Sequence, residues 1–296
     1  MLLPSINLSD PTIVCDTLRA GAQALRSYDG CRGCSHHIPS VGQILISGDL
    51  HDNPLHLAKV IKLASLEIPD NHVVLQELIH SVSNPDGIDL SYRMLVRVAA
   101  LVLAFPKQVH PILANHELSQ ATNRSITKGS GDLVEMFNLG LDHVFYQNAH
   151  DVTRAVCEFI YAMPIAVRSE SGLLCSHSLP SESAMDNFDV TLLDRELCAM
   201  DLQGTSGSAY NMVWGRDHSQ EQVSTLGMCW GATLFCLGHA LVPSGIEVAL
   251  PNMLQLNSDH NNGVALPLEL DSIPDAHGAI ELAIKLASVS VTPHEL

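Results

Sequence analysis

Residues 44–53, Ile44-Leu45-Ile46-Ser47-Gly48-Asp49-Leu50-His51-Asp52-Asn53, decide how this chain reads. Apolar residues suited to a buried strand run into Gly48, and beyond it stand Asp49 and His51. Side chains two apart on an extended segment share a face. A strand end can therefore aim a carboxylate and an imidazole at one point, a start for a site that holds a borderline divalent ion. Leu55-His56-Leu57-Ala58-Lys59-Val60-Ile61-Lys62-Leu63 follows with apolar positions at helical spacing. The unit reads strand, ligand loop, helix. Taken alone, it is served equally well by an ordinary strand-to-helix turn with a capping Asp.

The pattern repeats downstream. Asn71 to His80 reads as a buried strand with polar residues at its end, and a helix over Leu90–Phe105 is stopped by Pro106. Gln108–Leu113 forms a third strand before Ala114-Asn115-His116-Glu117. This β-α-β-α-β order predicts an α/β fold with helices covering the sheet. Residues 131–160 read as helical. Met163–Arg168 and Gly172–His177 are consecutive strands, residues 181–210 a polar excursion, and Thr233–His239 another strand ending in His. Three further β pieces are expected near 246–249, 253–257 and 263–269, then a short helix over Ala276–Ala287.

Before residue 41 the sequence predicts a helix over Thr12–Leu25 and a loop over 29–37. That loop holds Cys31, Cys34, His36 and His37. A structural zinc site usually takes four ligands in two spaced pairs, and there is no second Cys-x-x-Cys, so a plain loop is the better reading. The expected organisation is an N-terminal helical extension (1–40), one main domain (41–272) and a C-terminal helical tail (273–296).

The chain has 296 residues, 46 % of them hydrophobic but only 4 % aromatic, which predicts a large aliphatic core. Its net charge of −17 disfavours nucleic acid and anionic membranes as partners. The eight cysteines stand mostly among apolar neighbours, as small core residues do. With no secretory leader and no apolar run of spanning length, the expected location is cytoplasmic.

Asp49 with His51, Glu77, Asn115 with His116, His177 and His239 all sit just past an apolar strand. Any one alone is an ordinary polar residue. Five such strand ends are a pattern, because ligands in open α/β sheets gather outside the carboxyl ends of strands. The set is rich enough for two divalent ions sharing one carboxylate.

These residues resemble the motifs of the calcineurin-like metallophosphoesterases, within them the phosphoprotein phosphatase branch. The family shows GDxHG, GDxxDRG, GNHE, an HGG-like segment and a final GH. The matching segments are Gly48-Asp49-Leu50-His51-Asp52, Gln76-Glu77-Leu78-Ile79-His80-Ser81, Ala114-Asn115-His116-Glu117, Ser176-His177-Ser178-Leu179-Pro180 and Gly238-His239. Met212-Val213-Trp214-Gly215-Arg216-Asp217 resembles the family's Trp-containing segment. The resemblance covers about residues 41–272 and implies an αββα sandwich of two mixed sheets flanked by helices.

It further implies that Asp49, His51 and Glu77 hold one metal ion, and that Glu77, Asn115, His177 and His239 hold a second, with Glu77 bridging. Manganese is the first choice, and iron or zinc also suit these ligands. His116 would be the general acid and His80 its partner, with Arg216 or Arg124 contacting phosphate. The chain departs from the family at Glu77 and His80, where it has Asp, at Ser81, where it has Arg, and at Ala114, where it has Gly. The implied activity is phosphomonoester hydrolysis by water activated between the metals, with phosphoserine and phosphothreonine among the substrates, whether carried on a phosphoprotein or a small molecule. Two alternatives stay open: cleavage of dinucleoside polyphosphates, and a degenerate member that binds metal without catalysis.

Overall fold

The computed structural model of the chain describes residues 6–81, 86–128 and 131–292. Helix α1 (Pro11–Arg26) is capped by the Asp10 side chain, which accepts from the Thr12 and Ile13 amides, and its buried face carries Val14, Leu18, Ala22 and Leu25. The segment read as a loop forms instead a short hairpin, β1 (Cys31–Arg32) and β2 (Ser35–Ile38), turning at Gly33 with positive φ. Then come β3 (Gln43–Asp49), α2 (Pro54–Ala64), β4 (His72–Gln76), α3 (Tyr92–Ala104), β5 (Val109–Ile112) and α4 (Asn115–Thr122). A small pair, β6 (Thr127–Lys128) and β7 (Gly131–Asp132), precedes α5 (Leu133–Phe145) and α6 (Ala149–Ile160). The second half holds β8 (Ala166–Ser169), β9 (Leu173–Ser176), α7 (Ser208–Trp214), α8 (Gln220–Trp230), β10 (Leu234–Leu237), β11 (Ile246–Leu250), β12 (Met253–Leu256) and β13 (Val264–Glu269). The expected helix after residue 275 is shorter than read: α9 (Ala276–Ile280) gives way to a last strand, β14 (Ile284–Lys285).

These strands make two mixed sheets. One has seven strands in the order β1-β2-β8-β9-β10-β12-β11, the other five in the order β14-β13-β3-β4-β5. Because strand side chains alternate faces, Ile44, Ile46 and Val74 of the smaller sheet meet Cys175, Leu234, Cys236, Leu254 and Leu256 of the larger in a core between them. The intervening residues Leu45, Val73 and Leu75, and Leu174, Phe235 and Leu237, join the core built with the helices. The fold is the αββα sandwich with two mixed sheets flanked by helices. Both faces of each central strand are buried, which is why they read as near-continuous apolar runs. No helix among the described residues is long and apolar enough to cross a membrane.

The strands β3, β4 and β5 run parallel, as do β9, β10 and β12. Their carboxyl ends come together at one side of the sandwich. There Asp49 forms a parallel bridge with Asn257, joining the two sheets. Gly48 is required at this junction: a Cβ there would overlap the Leu256 carbonyl and the Asn257 backbone.

The opposite end of the smaller sheet buries a chain of imidazoles. His110 Nδ1 lies 3.1 Å from His36 Nδ1, and His110 Nε2 lies 3.0 Å from His72 Nδ1. This explains the fate of the Cys31–His37 segment: His36 turns to His110, and Cys34 donates to the Leu192 carbonyl at 3.1 Å, so the four candidate ligands do not converge. All eight cysteines are free thiols, and Cys198 and Cys229 are exposed rather than in the core. Burial lowers the pKa of His36 and of His72 to about 4, and that of His110 well below the ordinary value. The unfolded chain therefore binds more protons than the folded one below the ordinary histidine pKa of about 6.5. The stability from keeping these rings neutral is complete above that pH and is lost as pH falls toward about 4, by up to about 1.4 kcal/mol per ring per pH unit. Denaturant midpoints measured from pH 7 down to 4.5 are expected to fall steadily; a flat profile would mean the rings are not held neutral.

Candidate metal centre

The strand ends deliver their side chains to a single cleft of about 370 Å³, lined by Asp49, His51, Glu77, Asn115, His116 and His239 together with Trp214, Arg216, Asn257 and Asp259. His177 lies fully buried beneath it. The Asp49 carboxylate accepts from the His239 amide at 3.1 Å and from Asn257 Nδ2 at 3.3 Å. Glu77 stands between two groups. Its Oε2 is 3.5 Å from His51 Nε2, and its Oε1 is 3.4 Å from His116 Nε2 and 3.8 Å from His177 Nε2. The Asn115 side-chain oxygen, Oδ1, is 2.7 Å from His177 Nε2 and 3.1 Å from His239 Nδ1.

The backbone is bent sharply to achieve this. His51, Asp52, Glu77, His80 and His239 all adopt positive φ, a region that costs a non-glycine residue energy and that clusters at functional sites. The Glu77 bend is held by its neighbours: the Leu50 and His51 amides donate to the Glu77 carbonyl, and buried Glu117 accepts from the Leu78 and Ile79 amides at 2.7 and 3.1 Å. Burial pushes the Glu117 carboxyl up to about 7 in spite of those hydrogen bonds. Gly238 must be glycine, because a Cβ there would overlap the Asp49 Oδ1 and Gln76 Oε1 atoms.

Two sets of three side chains bring ligand atoms close enough to share an ion: His51, Glu77 and His116, and Asp49, Glu77 and His177. Among the described residues these are the sets of three or more His, Cys, Asp and Glu that do so, and both contain Glu77. The chemistry of the donors fits divalent metal. Burial holds His177 well below the ordinary histidine pKa and takes His239 down to about 3, with Arg216 adding to the second effect. Both rings are thus neutral and present lone pairs beside carboxylate and amide oxygens. His239 Nε2 is buried without a hydrogen bond. Nitrogen and oxygen donors together suit manganese, iron or zinc alike.

His116 Nδ1 meets His80 Nδ1 at 2.9 Å, and His80 Nε2 meets Gln120 Oε1 at 3.0 Å. The Gln120 amide nitrogen donates to Asn138 Oδ1 at 2.9 Å, which orients its oxygen toward His80. His80, whose pKa burial lowers, therefore donates from Nε2 and accepts at Nδ1. His116 then carries its hydrogen on Nδ1 and turns Nε2 to the cleft.

No protein-family model matches the sequence, and no curated protein matches it significantly. Solved structures do match. A protein serine/threonine phosphatase from Saccharomyces cerevisiae with similarity to human phosphatase PP5 superposes with a TM-score of 0.59 at 12 % identity, over 87 % of this chain and 82 % of that one. The cold-active protein-tyrosine phosphatase of a psychrophilic Shewanella superposes with a TM-score of 0.54 at 11 % identity, over 88 % and 85 %. The chain has the calcineurin-like phosphatase fold. At such low identity the match is one of architecture, and the site has to be argued from its own geometry.

Within this calcineurin-like framework the six candidate ligands come together, with His116 and His80 beside them. Arg216 lines the cleft and donates to the His239 carbonyl at 3.2 Å. Arg124 does not line it; its guanidinium lies 5.3 Å from the centre of the Tyr210 ring. Sequence reasoning missed Asn257 and Gln76. Asn257 was within reach of the strand-end rule, since it follows β12 directly. Gln76 was not, because its role depends on a ring from another sheet, His177, whose Nδ1 lies 3.1 Å away.

Glu77→Gln tests the shared carboxylate. Calorimetric titration of divalent metal is expected to show both ions weakened together by roughly tenfold or more, the scale seen when even outer contacts of a metal site are removed. Unchanged binding of two ions would separate Glu77 from the centre.

Proposed function

We propose that this protein is a metal-dependent phosphoesterase that hydrolyses phosphomonoesters. One observation carries the reading: a single buried carboxylate, Glu77, belongs to both ligand sets. The geometric sets group His51 with His116 and Asp49 with His177 around it. The partition we propose draws on the same side chains but pairs them differently, with Asp49 and His51 on one ion and Asn115, His177 and His239 on the other. Two divalent ions bound there would polarise the phosphate oxygens and lower the pKa of water. The rest falls to the chain. Arg216, exposed at the rim, supplies the cation that meets phosphate, and Trp214 packs edge-on with its ring centre 5.9 Å from that of His239. His116 reaches into the cleft from the start of α4 to protonate the leaving oxygen, and a general acid must lie within hydrogen-bond reach of that oxygen.

The solved phosphatases that share the fold are named for serine/threonine and for tyrosine, so the fold supports the phosphomonoester and leaves the alcohol open. Phosphoserine and phosphothreonine, on a protein or a small molecule, are the substrates we propose to try first, with manganese as the first metal. The net charge of −17 argues against nucleic acid as the partner.

A second reading has its own observation. His116 is part of one ligand set, so it could complete that site instead of acting as an acid. The chain would then bind metal without turnover. Chelation followed by manganese decides between them, read on p-nitrophenyl phosphate: activity lost and restored supports the enzyme, and two bound ions without turnover support the binding protein.

Two substitutions test the proton chemistry. His116→Ala should keep both ions and lose roughly a hundredfold or more in kcat, the usual worth of a general acid. Loss of an ion would make His116 a ligand, and near-normal turnover would remove it from the mechanism. Neutral His80 accepts the His116 hydrogen bond but brings no negative charge. A carboxylate in its place would stabilise protonated His116, so His80→Asp should move the alkaline fall of kcat to higher pH. An unchanged profile would show that the 80–116 contact does not tune the acid.

A further inference from the structure

We propose that Gln76 is a positioning residue that selects the Nδ1–H tautomer of His177 and so aims a bare Nε2 lone pair at the metal centre. The inference rests on the two-metal reading above and adds to it a residue that holds no ion itself.

Gln76 ends β4, immediately before Glu77, and is fully buried. Its amide nitrogen donates to the Ser47 carbonyl at 2.8 Å. A carbonyl oxygen only accepts, so this contact settles which end of the amide is NH₂. Oε1 therefore faces His177 Nδ1, at 3.1 Å, and it too only accepts. His177 must place its hydrogen on Nδ1. Asp49 Oδ1, a further acceptor 3.7 Å from the same nitrogen, favours the same choice. A neutral imidazole carries one N–H, so Nε2 is left as a lone pair. That atom faces Asn115 Oδ1 at 2.7 Å and Glu77 Oε1 at 3.8 Å. A bare Nε2 can only accept, so in the metal-free chain the Asn115 amide must turn its NH₂ to it.

Gln76 is locked in place from the other side. Gly238 lies against its Oε1, close enough that a Cβ at 238 would overlap it. The Ser47 carbonyl belongs to the neighbouring strand β3, which pairs with β4. The amide cannot swing away without leaving the Ser47 carbonyl unpaired in a site where neither residue is exposed. Metal-bound histidines generally owe their orientation and tautomer to such an outer contact on the other ring nitrogen, and loss of that contact costs about 10–100-fold in affinity.

The test uses the whole chain with Zn²⁺ as a diamagnetic probe. In the metal-free wild type, long-range ¹H–¹⁵N spectra should give His177 a protonated Nδ1 and an unprotonated Nε2. Gln76→Met keeps the volume and removes the amide; it should mix the tautomers and weaken Zn²⁺ by about 10–100-fold. Gln76→Glu should keep the Nδ1–H tautomer, since a carboxyl oxygen still accepts from His177 Nδ1. An Nε2–H tautomer in the wild type overturns the proposal, and so does a Q76M chain with wild-type tautomer and affinity. A wild type that keeps the Nδ1–H tautomer yet binds no Zn²⁺ overturns the metal-centre reading instead. The wild-type spectrum needs no variant, so a Q76M chain that fails to fold leaves the test standing.

Discussion

The Asp49 carboxylate ties the two sheets together where their strands end. It belongs to the five-stranded sheet, and it is held by the His239 amide and the Asn257 side chain from the seven-stranded one. The Ser258 amide donates to the Asp49 carbonyl at 3.0 Å, and the Gly48 amide to the Ser258 hydroxyl at 2.8 Å. An ionised carboxylate is costly to bury unless it is hydrogen-bonded or paired. Here the hydrogen bonds that satisfy it also set the distance between the sheets. Every other feature of the cleft depends on that distance, because its side chains come from both sheets.

The same junction explains why glycine opens two of the motifs. At positions 48 and 238 another backbone or a buried polar group occupies the space where a Cβ would go. The positive-φ residues around the cleft show the reverse: His51, Glu77, His80 and His239 carry side chains in a region that disfavours them. A protein keeps such strain where the surroundings over-determine it and the side chain is needed. These four non-glycine residues bent this way in and beside one cleft are a physical argument for function that does not lean on any likeness to other proteins.

The acidic surface and the basic requirements of phosphate chemistry are reconciled locally. Arg216 lines the cleft, and under the proposed reading most of the positive field there would be supplied by bound ions. Keeping His177 and His239 neutral by burial suits that arrangement, since a protonated imidazole can neither ligate nor stand beside a cation. His80, neutral beside His116, brings no negative charge to that side of the cleft. The relay through Gln120 and Asn138 keeps the geometry of that contact.

Local chemistry was legible in the sequence. Apolar runs, glycine breaks and metal-competent residues located β3, β4, β5, β9 and β10 and the side chains at their ends, because a strand announces itself by its own residues. Helices were expected where α1, α2 and α3 stand, α2 from its apolar positions at helical spacing. The hairpin over Cys31–Ile38 was not legible: two of its strand residues alone pair in β1, and its stability comes from β8, more than a hundred residues away. Helix α8 was missed although Ser219 and Gln222 form a capping box, because its apolar stripe is weak. Arg124 and Arg216 looked equivalent as phosphate contacts; in the fold Arg216 lines the cleft and Arg124 packs against Tyr210. Gln76 read as one more buried strand residue until Ser47 and His177 stood on either side of its amide. Sequence determines what each strand end offers, since that is a property of neighbouring residues. Which offers meet, and which nitrogen of a ring faces the meeting point, is decided by contacts between sheets, and those are set only when the two cores close.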